Sequence, residues 1–160
     1  MIINIISFLI FFVTRPLARY MLYPGSVALL VSSNIQEAEI MKPQIIEKGG
    51  QEIAITTEDG RSLDAMFFDV ENMYPDKALY YKEGDRPLVI ICGGNKSFYP
   101  RLWTMIKLYL DNGANVVAFN YGGFGESEGS TTTLTTYADA DAIYDYATKN
   151  KGFTDDHLIV

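Results

Sequence analysis

Pro87-Leu88-Val89-Ile90-Ile91-Cys92-Gly93-Gly94-Asn95-Lys96-Ser97 is the stretch that decides the fold, a short unbroken apolar run that ends in two glycines. Alternation would leave one face of a strand in water. A continuous run instead suits a strand covered on both faces, as in a parallel sheet. The same pattern returns over residues 115–120. Between the two runs, Pro100 suits the first turn of a helix. Leu102, Ile106, Tyr109 and Leu110 share one helical face, and Gly113 suits its end.

A loop rich in Gly, Ser and Thr follows over residues 121–135. Thr136 and Asp139 are then the expected capping pair of a second helix, with Ala140, Ile143, Tyr144 and Ala147 as its buried face. Leu158, Ile159 and Val160 open another apolar run. Upstream, Ile53 and Ile55 alternate with polar residues, Asp59 and Gly60 supply turn chemistry, and Leu63, Ala65 and Phe67 alternate again, which predicts a hairpin. Residues 71–85 lack a period and read as loop. The order is hairpin, strand, helix, strand, helix, strand. With right-handed crossovers this gives an α/β fold, a mainly parallel twisted sheet with helices on both faces. Reactive loops in such sheets sit at the carboxyl ends of the strands, which here are residues 93–99 and 121–135.

Composition narrows the function classes. The 160 residues are 48% hydrophobic and 21% charged, with a net charge of -7. A nucleic-acid partner is not expected, because no stripe of Lys and Arg exists to displace counterions from phosphates. One cysteine, Cys92, and one histidine, His157, leave no disulfide and no Cys/His metal site, so neither metal nor cofactor is expected. Both residues read first as structural.

The amino-terminal region differs from the rest. Residues 1–13 are apolar except for Asn4 and Ser7, and Arg15, Pro16 and Arg19 follow directly. This lacks the charge order and cleavage site of a signal peptide, and is shorter than the ~20 residues of a spanning helix. A second apolar stretch, 20–31, is broken by Pro24 and Gly25. Residues 1–36 are therefore read as an apolar segment that anchors the protein at a membrane through residues 1–31, the arginines lying at headgroup level. The competing reading is an arm packed on its own domain. Residues 37–50, with Pro43, Gly49 and Gly50, read as a linker, and 51–160 as the α/β domain.

Two loops carry the chemistry. Gly93 and Gly94 let the backbone turn tightly and expose N–H groups that could stabilise an oxyanion; the competing reading is a plain strand-to-helix turn. The loop Asn120-Tyr121-Gly122-Gly123-Phe124-Gly125-Glu126-Ser127-Glu128-Gly129 admits several readings. A phosphate-binding turn needs glycines at other spacings and an immediate helix. A nucleophile elbow centred on Ser127 matches Gly-x-Ser-x-Gly in letters, but an elbow joins strand directly to helix, and here more loop follows. His157 precedes the last strand and so belongs to its amino end. About 13 Å, four residues at roughly 3.3 Å each, separates that edge from the carboxyl ends where Ser127 and Cys92 lie.

Gly93-Gly94-Asn95 after one strand, and Asn120-Tyr121-x-Gly123-x-Gly125-x-Ser127-x-Gly129 after the next, resemble the α/β-hydrolase superfamily, in particular its Bem46-like serine hydrolases. The resemblance covers residues 50–160. It implies that backbone N–H groups of Asn95 or Lys96 form the oxyanion hole. It also implies that Gly93, Gly94, Tyr121, Gly123, Gly125, Ser127 and Gly129 belong to loops near the active site, with Ser127 not the nucleophile. Gly93 stands where the family has His, and Gly122 where it has Arg. The family's nucleophile follows the strand begun at Leu158, and its Asp and His come later. The expectation is thus the amino-terminal half of a membrane-associated serine hydrolase (esterase, lipase, thioesterase or peptidase) acting on a small ester or acyl substrate, inactive as these 160 residues. The alternative is a non-catalytic remnant that binds a membrane or a partner.

Overall fold

The structure is a computed structural model that describes residues 28–82, 84–94 and 98–160, without the side chains of 28–35 and 38. The anchor assigned to residues 1–13 and the oxyanion donors assigned to Asn95 and Lys96 lie outside the described residues. The described elements are helix α1 (Ala28–Glu47), strands β1 (Gln51–Thr56) and β2 (Ser62–Phe68), and the short helices α2 (Val70–Met73) and α3 (Pro75–Ala78). Strand β3 (Leu88–Cys92), a 3-10 turn (Tyr99–Leu102), helix α4 (Trp103–Asp111), strand β4 (Asn115–Phe119), helix α5 (Thr133–Asp145) with a π-helical turn after it (Tyr146–Asn150), a second 3-10 turn (Asp155–His157) and strand β5 (Leu158–Ile159) complete them.

The strands form one sheet in the order β1-β2-β4-β3-β5. Strands β1 and β2 are the expected hairpin, Gly60 taking a φ of 84° in its turn. β2 runs antiparallel to β4, while β3 is parallel to both β4 and β5. Two apolar clusters cover the sheet. Ile45, Met66, Phe68, Val89, Ile91, Ile106 and Leu110 lie on the face of α1 and α4. Leu63, Ala65, Phe67, Ile90, Val117, Ile143 and Ala147 lie on the face of α5. This is the two-sided burial that the runs at 88–92 and 115–119 imply.

Several boundaries differ from the sequence reading, each for a physical reason. The linker assigned to 37–50 is largely helix: α1 continues through Pro43 to Glu47 and buries Ile45, and only the turn at 48–50 is non-helical. β2 does not alternate. Asp64, Met66 and Phe68 are as buried as Leu63, Ala65 and Phe67, because α1 covers the second face. The stretch read as loop holds α2 and α3, started by the Asp69 carboxylate on the Glu71 N–H and by Pro75. α5 begins earlier than Thr136. Its capping box joins Thr132 and Thr135, and Asp139 lies inside the helix, fully buried. Tyr144 faces solvent, and Tyr146 packs on the core in its place.

Candidate functional site

The carboxyl end of β4 is fastened to β2 by polar side chains inside the fold. The Asn120 N–H donates to the Asp64 carbonyl at 2.9 Å, which extends the strand pairing by one residue. Its side chain then works both ways: Nδ2 donates to Asp64 Oδ2 at 2.7 Å, and Oδ1 accepts the Tyr99 N–H at 2.8 Å. The Tyr99 hydroxyl donates to Asp64 Oδ1 at 3.2 Å. Burial, and then the negative charge of Asp64, hold this phenol well above its ordinary range.

Asp64 is a buried carboxylate, and such a group persists in a core only when paired and hydrogen-bonded. Its cation is Lys42 of α1, with Nζ 3.0 Å from Asp64, 2.6 Å from Glu52 and 2.5 Å from Glu126. Burial lowers the affinity of Lys42 for its proton, but the contacts with Glu126, Glu52 and Asp64 outweigh it, so the ammonium is held above its ordinary range.

Ser127 is buried at the centre of this arrangement. Its Oγ donates to the Asn120 carbonyl at 2.6 Å and accepts the Asp64 N–H at 2.8 Å. Both roles of the hydroxyl are taken by backbone, and a peptide carbonyl is no base to which a nucleophile's proton could pass. Gly125 lies beside it with a φ of 53°. A Cβ there would stand 2.3 Å from Asn120 Nδ2 and 2.6 Å from Asp64 Oδ2, so the loop can pass over the pair only as glycine. Gly123 and Gly129 also take positive φ. Glu128 adds to the edge of β2 by donating its N–H to the Ser62 carbonyl and accepting the Ser62 N–H on its carboxylate, at 2.9 and 2.8 Å.

A second fastening holds the front of the loop. The Gly122 N–H donates to Asp139 Oδ2 at 2.8 Å, and the Gly122 carbonyl accepts the Thr131 hydroxyl. The other carboxylate oxygen of Asp139 pairs with Arg61 Nη1 at 2.7 Å, and Arg61 Nε reaches Asp59 at 2.8 Å. The β1–β2 turn, the loop and α5 are thus joined through one guanidinium. Tyr121 stacks edge-on against Phe119 with ring centroids 4.7 Å apart. Burial, and then a hydrogen bond with Cys92, raise its phenol above the ordinary range.

The sequence-predicted residues divide accordingly. Tyr121, Gly122, Gly123, Gly125, Ser127 and Gly129 share one loop at the carboxyl ends of β3 and β4 and the amino end of β2, with Cys92, Gly93 and Gly94 at the end of β3. His157 is not brought to them. It closes a 3-10 turn before β5, level with the start of β3, and its Nδ1 lies 3.0 Å from Thr154 Oγ1. Asp156 lies in the same turn. No group of ligating residues suited to a metal is present among the described residues.

Sequence reading missed Lys42, Asp64, Tyr99, Arg61 and Asp139 as members of this region. Two carried a signal. Asp64 interrupts an otherwise apolar strand, and Asp139 falls one helical turn before Ile143 on the buried face. Lys42 gave none, since its partners lie far away in sequence.

No family model matches the chain. It is 32% identical over 145 residues to the Caenorhabditis elegans protein F37A4.1, covering 89% of this chain and 27% of that protein. It is 28% identical over 151 residues to human phosphatidylserine lipase ABHD16A, covering 94% and 25%. The chain thus spans about a quarter of the length of the curated relatives it matches. Among solved structures, an alpha-beta hydrolase from Vibrio vulnificus superposes with a TM-score of 0.59 at 20% identity, over 75% of this chain and 39% of that one. The Pyrococcus furiosus esterase Pf2001 superposes with a TM-score of 0.52 at 25% identity, over 69% and 38%.

Proposed function

We propose that this chain, which belongs to the α/β-hydrolase superfamily, supplies the first half of the sheet and the oxyanion loop of a membrane-associated serine hydrolase. The observation that carries the reading is the loop at 120–129. It is fastened so that Ser127 is spent on backbone hydrogen bonds, which favours the other glycine loop, the one that follows β3, for contact with a substrate. The nucleophile then belongs to another part of the protein, and these 160 residues alone do not turn over substrate.

The reaction is acyl transfer through an acyl-enzyme, with the N–H of Asn95 or Lys96 receiving the developing oxyanion. Relatives named as phosphatidylserine lipases favour a lipid ester over a thioester or a peptide. The apolar run at residues 1–13 favours attachment to a membrane, although no helix among the described residues is long and apolar enough to cross one.

The test removes a donor. In a protein carrying these residues together with its nucleophile, Asn95→Pro and Lys96→Pro each delete one backbone N–H. The donor's loss lowers kcat about 100- to 1000-fold with little change in KM, as for other oxyanion-hole donors. Two well-folded variants with unchanged kcat would refute the assignment.

A further inference from the structure

We infer that the groove between β1 and α5 binds an extended, basic segment of a partner protein, which adds itself as a strand to the free edge of β1. This interaction surface is independent of the reaction proposed above.

The edge is open. β1 stands at one end of the sheet order, and no described residue pairs with its outer side. Which of its backbone groups face outward follows from β2. Asp64 accepts the Asn120 N–H on its carbonyl and donates its own N–H to Ser127, and Ser62 exchanges bonds with Glu128. Ser62 and Asp64 therefore face β4 and the loop after it. Direction alternates along a strand, so Leu63 and Ala65 face β1, where Ile55 and Ile53 are their partners. The N–H and C=O groups of Ala54 and Thr56 then point out of the sheet, and both residues are exposed. Unpaired groups in such a row are a template for another strand.

Beside that edge lies a groove of about 880 Å³, with Ala54, Thr56 and Glu58 on the side of β1 and its turn, and Leu134, Tyr137 and Asp141 on the side of α5. Ala138 and Ala142 line it with no more than a methyl group each, which leaves room for a chain to lie against β1. Leu134 and Tyr137 are exposed and offer apolar contact to alternate side chains of an added strand.

Charge selects the occupant. Glu58 and Asp141 line the groove and form no ion pair among the described residues, whereas Asp145 shares Lys149 at 2.8 Å. No lysine or arginine lines the groove. Its unpaired carboxylates are complementary to lysine or arginine brought by a partner. A second copy of this chain matches poorly, because it carries a net charge of -7 and brings the same carboxylates.

The experiment uses the 160-residue chain and a fluorescein-labelled peptide as long as β1, six residues in which lysine alternates with valine, read by fluorescence anisotropy. The expected result is saturable binding that is absent when glutamate replaces lysine in the peptide. Glu58→Gln and Asp141→Asn each weaken binding about two- to fivefold, the range of an exposed ion pair. N-methylation of alternate peptide residues abolishes binding in one of its two phases, since only every second backbone unit faces β1, and it leaves the protein untouched. Full binding by both N-methylated peptides overturns strand addition. A Glu58→Gln/Asp141→Asn double variant that is folded by circular dichroism and binds as well as the parent overturns the site. A dimer in sedimentation that Ala54→Pro, a substitution an edge strand tolerates, converts to monomer overturns the partner and assigns the edge to a second copy.

Discussion

The guanidinium of Arg61 occupies the space that a side chain at Gly122 would fill. A Cβ at 122 would stand 2.8 Å from Arg61 Nη1 and 3.0 Å from the Glu128 carbonyl. The resembling family has Arg at this loop position, whereas here a guanidinium enters from the β1–β2 turn and pairs with Asp139. An arginine from elsewhere in the chain thus stands beside the loop position where the family's own arginine is missing.

This makes Gly122 and Arg61 interdependent. Gly122→Ala alone should destabilise by about 1–3 kcal/mol, the range for overpacking a filled site. In an Arg61→Ala background its added cost should be clearly smaller, a coupling of neighbours that a double-mutant cycle in urea measures. Strict additivity would mean the two do not share the space.

Asp139 tests the same fastening from the helix. It is fully buried, and removing it leaves the Gly122 N–H without its acceptor and Arg61 with Asp59 alone. Breaking a buried pair in this way costs about 3–5 kcal/mol. Asp139→Ala should therefore lower the unfolding midpoint far more than Asp141→Ala, two residues later on the exposed side of α5.

Ser127→Ala removes an acceptor for the Asp64 N–H and a donor to the Asn120 carbonyl. A loss of about 1–3 kcal/mol is expected from leaving these buried groups unpaired. Denaturant unfolding reads it directly, and a neutral result would contradict the structural role.

At acid pH, the Glu37–Arg101 pair gives a small effect of known sign. Hydrogen bonding to Arg101 holds the Glu37 carboxyl below its ordinary value. A depressed carboxylate contributes stability that is present above its unfolded pKa and lost as pH falls through the folded one. Because the pair is exposed to solvent, its worth is no more than about 1 kcal/mol. Glu37→Gln should therefore lose slightly in stability at pH 6 and match the parent near pH 3 in urea titrations. Lys42 acts at the other extreme: its raised value means that its contribution is full below the unfolded lysine pKa and is lost only as pH rises beyond the folded one.

What could be read from sequence followed local rules. The hairpin, the unbroken runs at 88–92 and 115–119, and the helix after Pro100 follow from period and turn chemistry. The start of α5 was misplaced because several Thr residues compete as caps, and only the Thr132–Thr135 pair has the reciprocal geometry. Residues 37–47 looked like a linker because Pro43 and their polar surface hide the one face that buries Ile45. The glycine and serine spacing of the 120–129 loop was visible, whereas its fastening was not. Asp64, Lys42, Arg61 and Asp139 meet it only after folding, across up to 84 residues between Lys42 and Glu126.

The account stands or falls on Ser127. Incubating the 160-residue chain with a fluorophosphonate probe and mapping adducts by mass spectrometry asks whether that hydroxyl is a nucleophile. The account predicts no adduct at Ser127, since its Oγ is buried and committed to the Asn120 carbonyl and the Asp64 N–H. Stoichiometric labelling at Ser127 in the folded chain would contradict it.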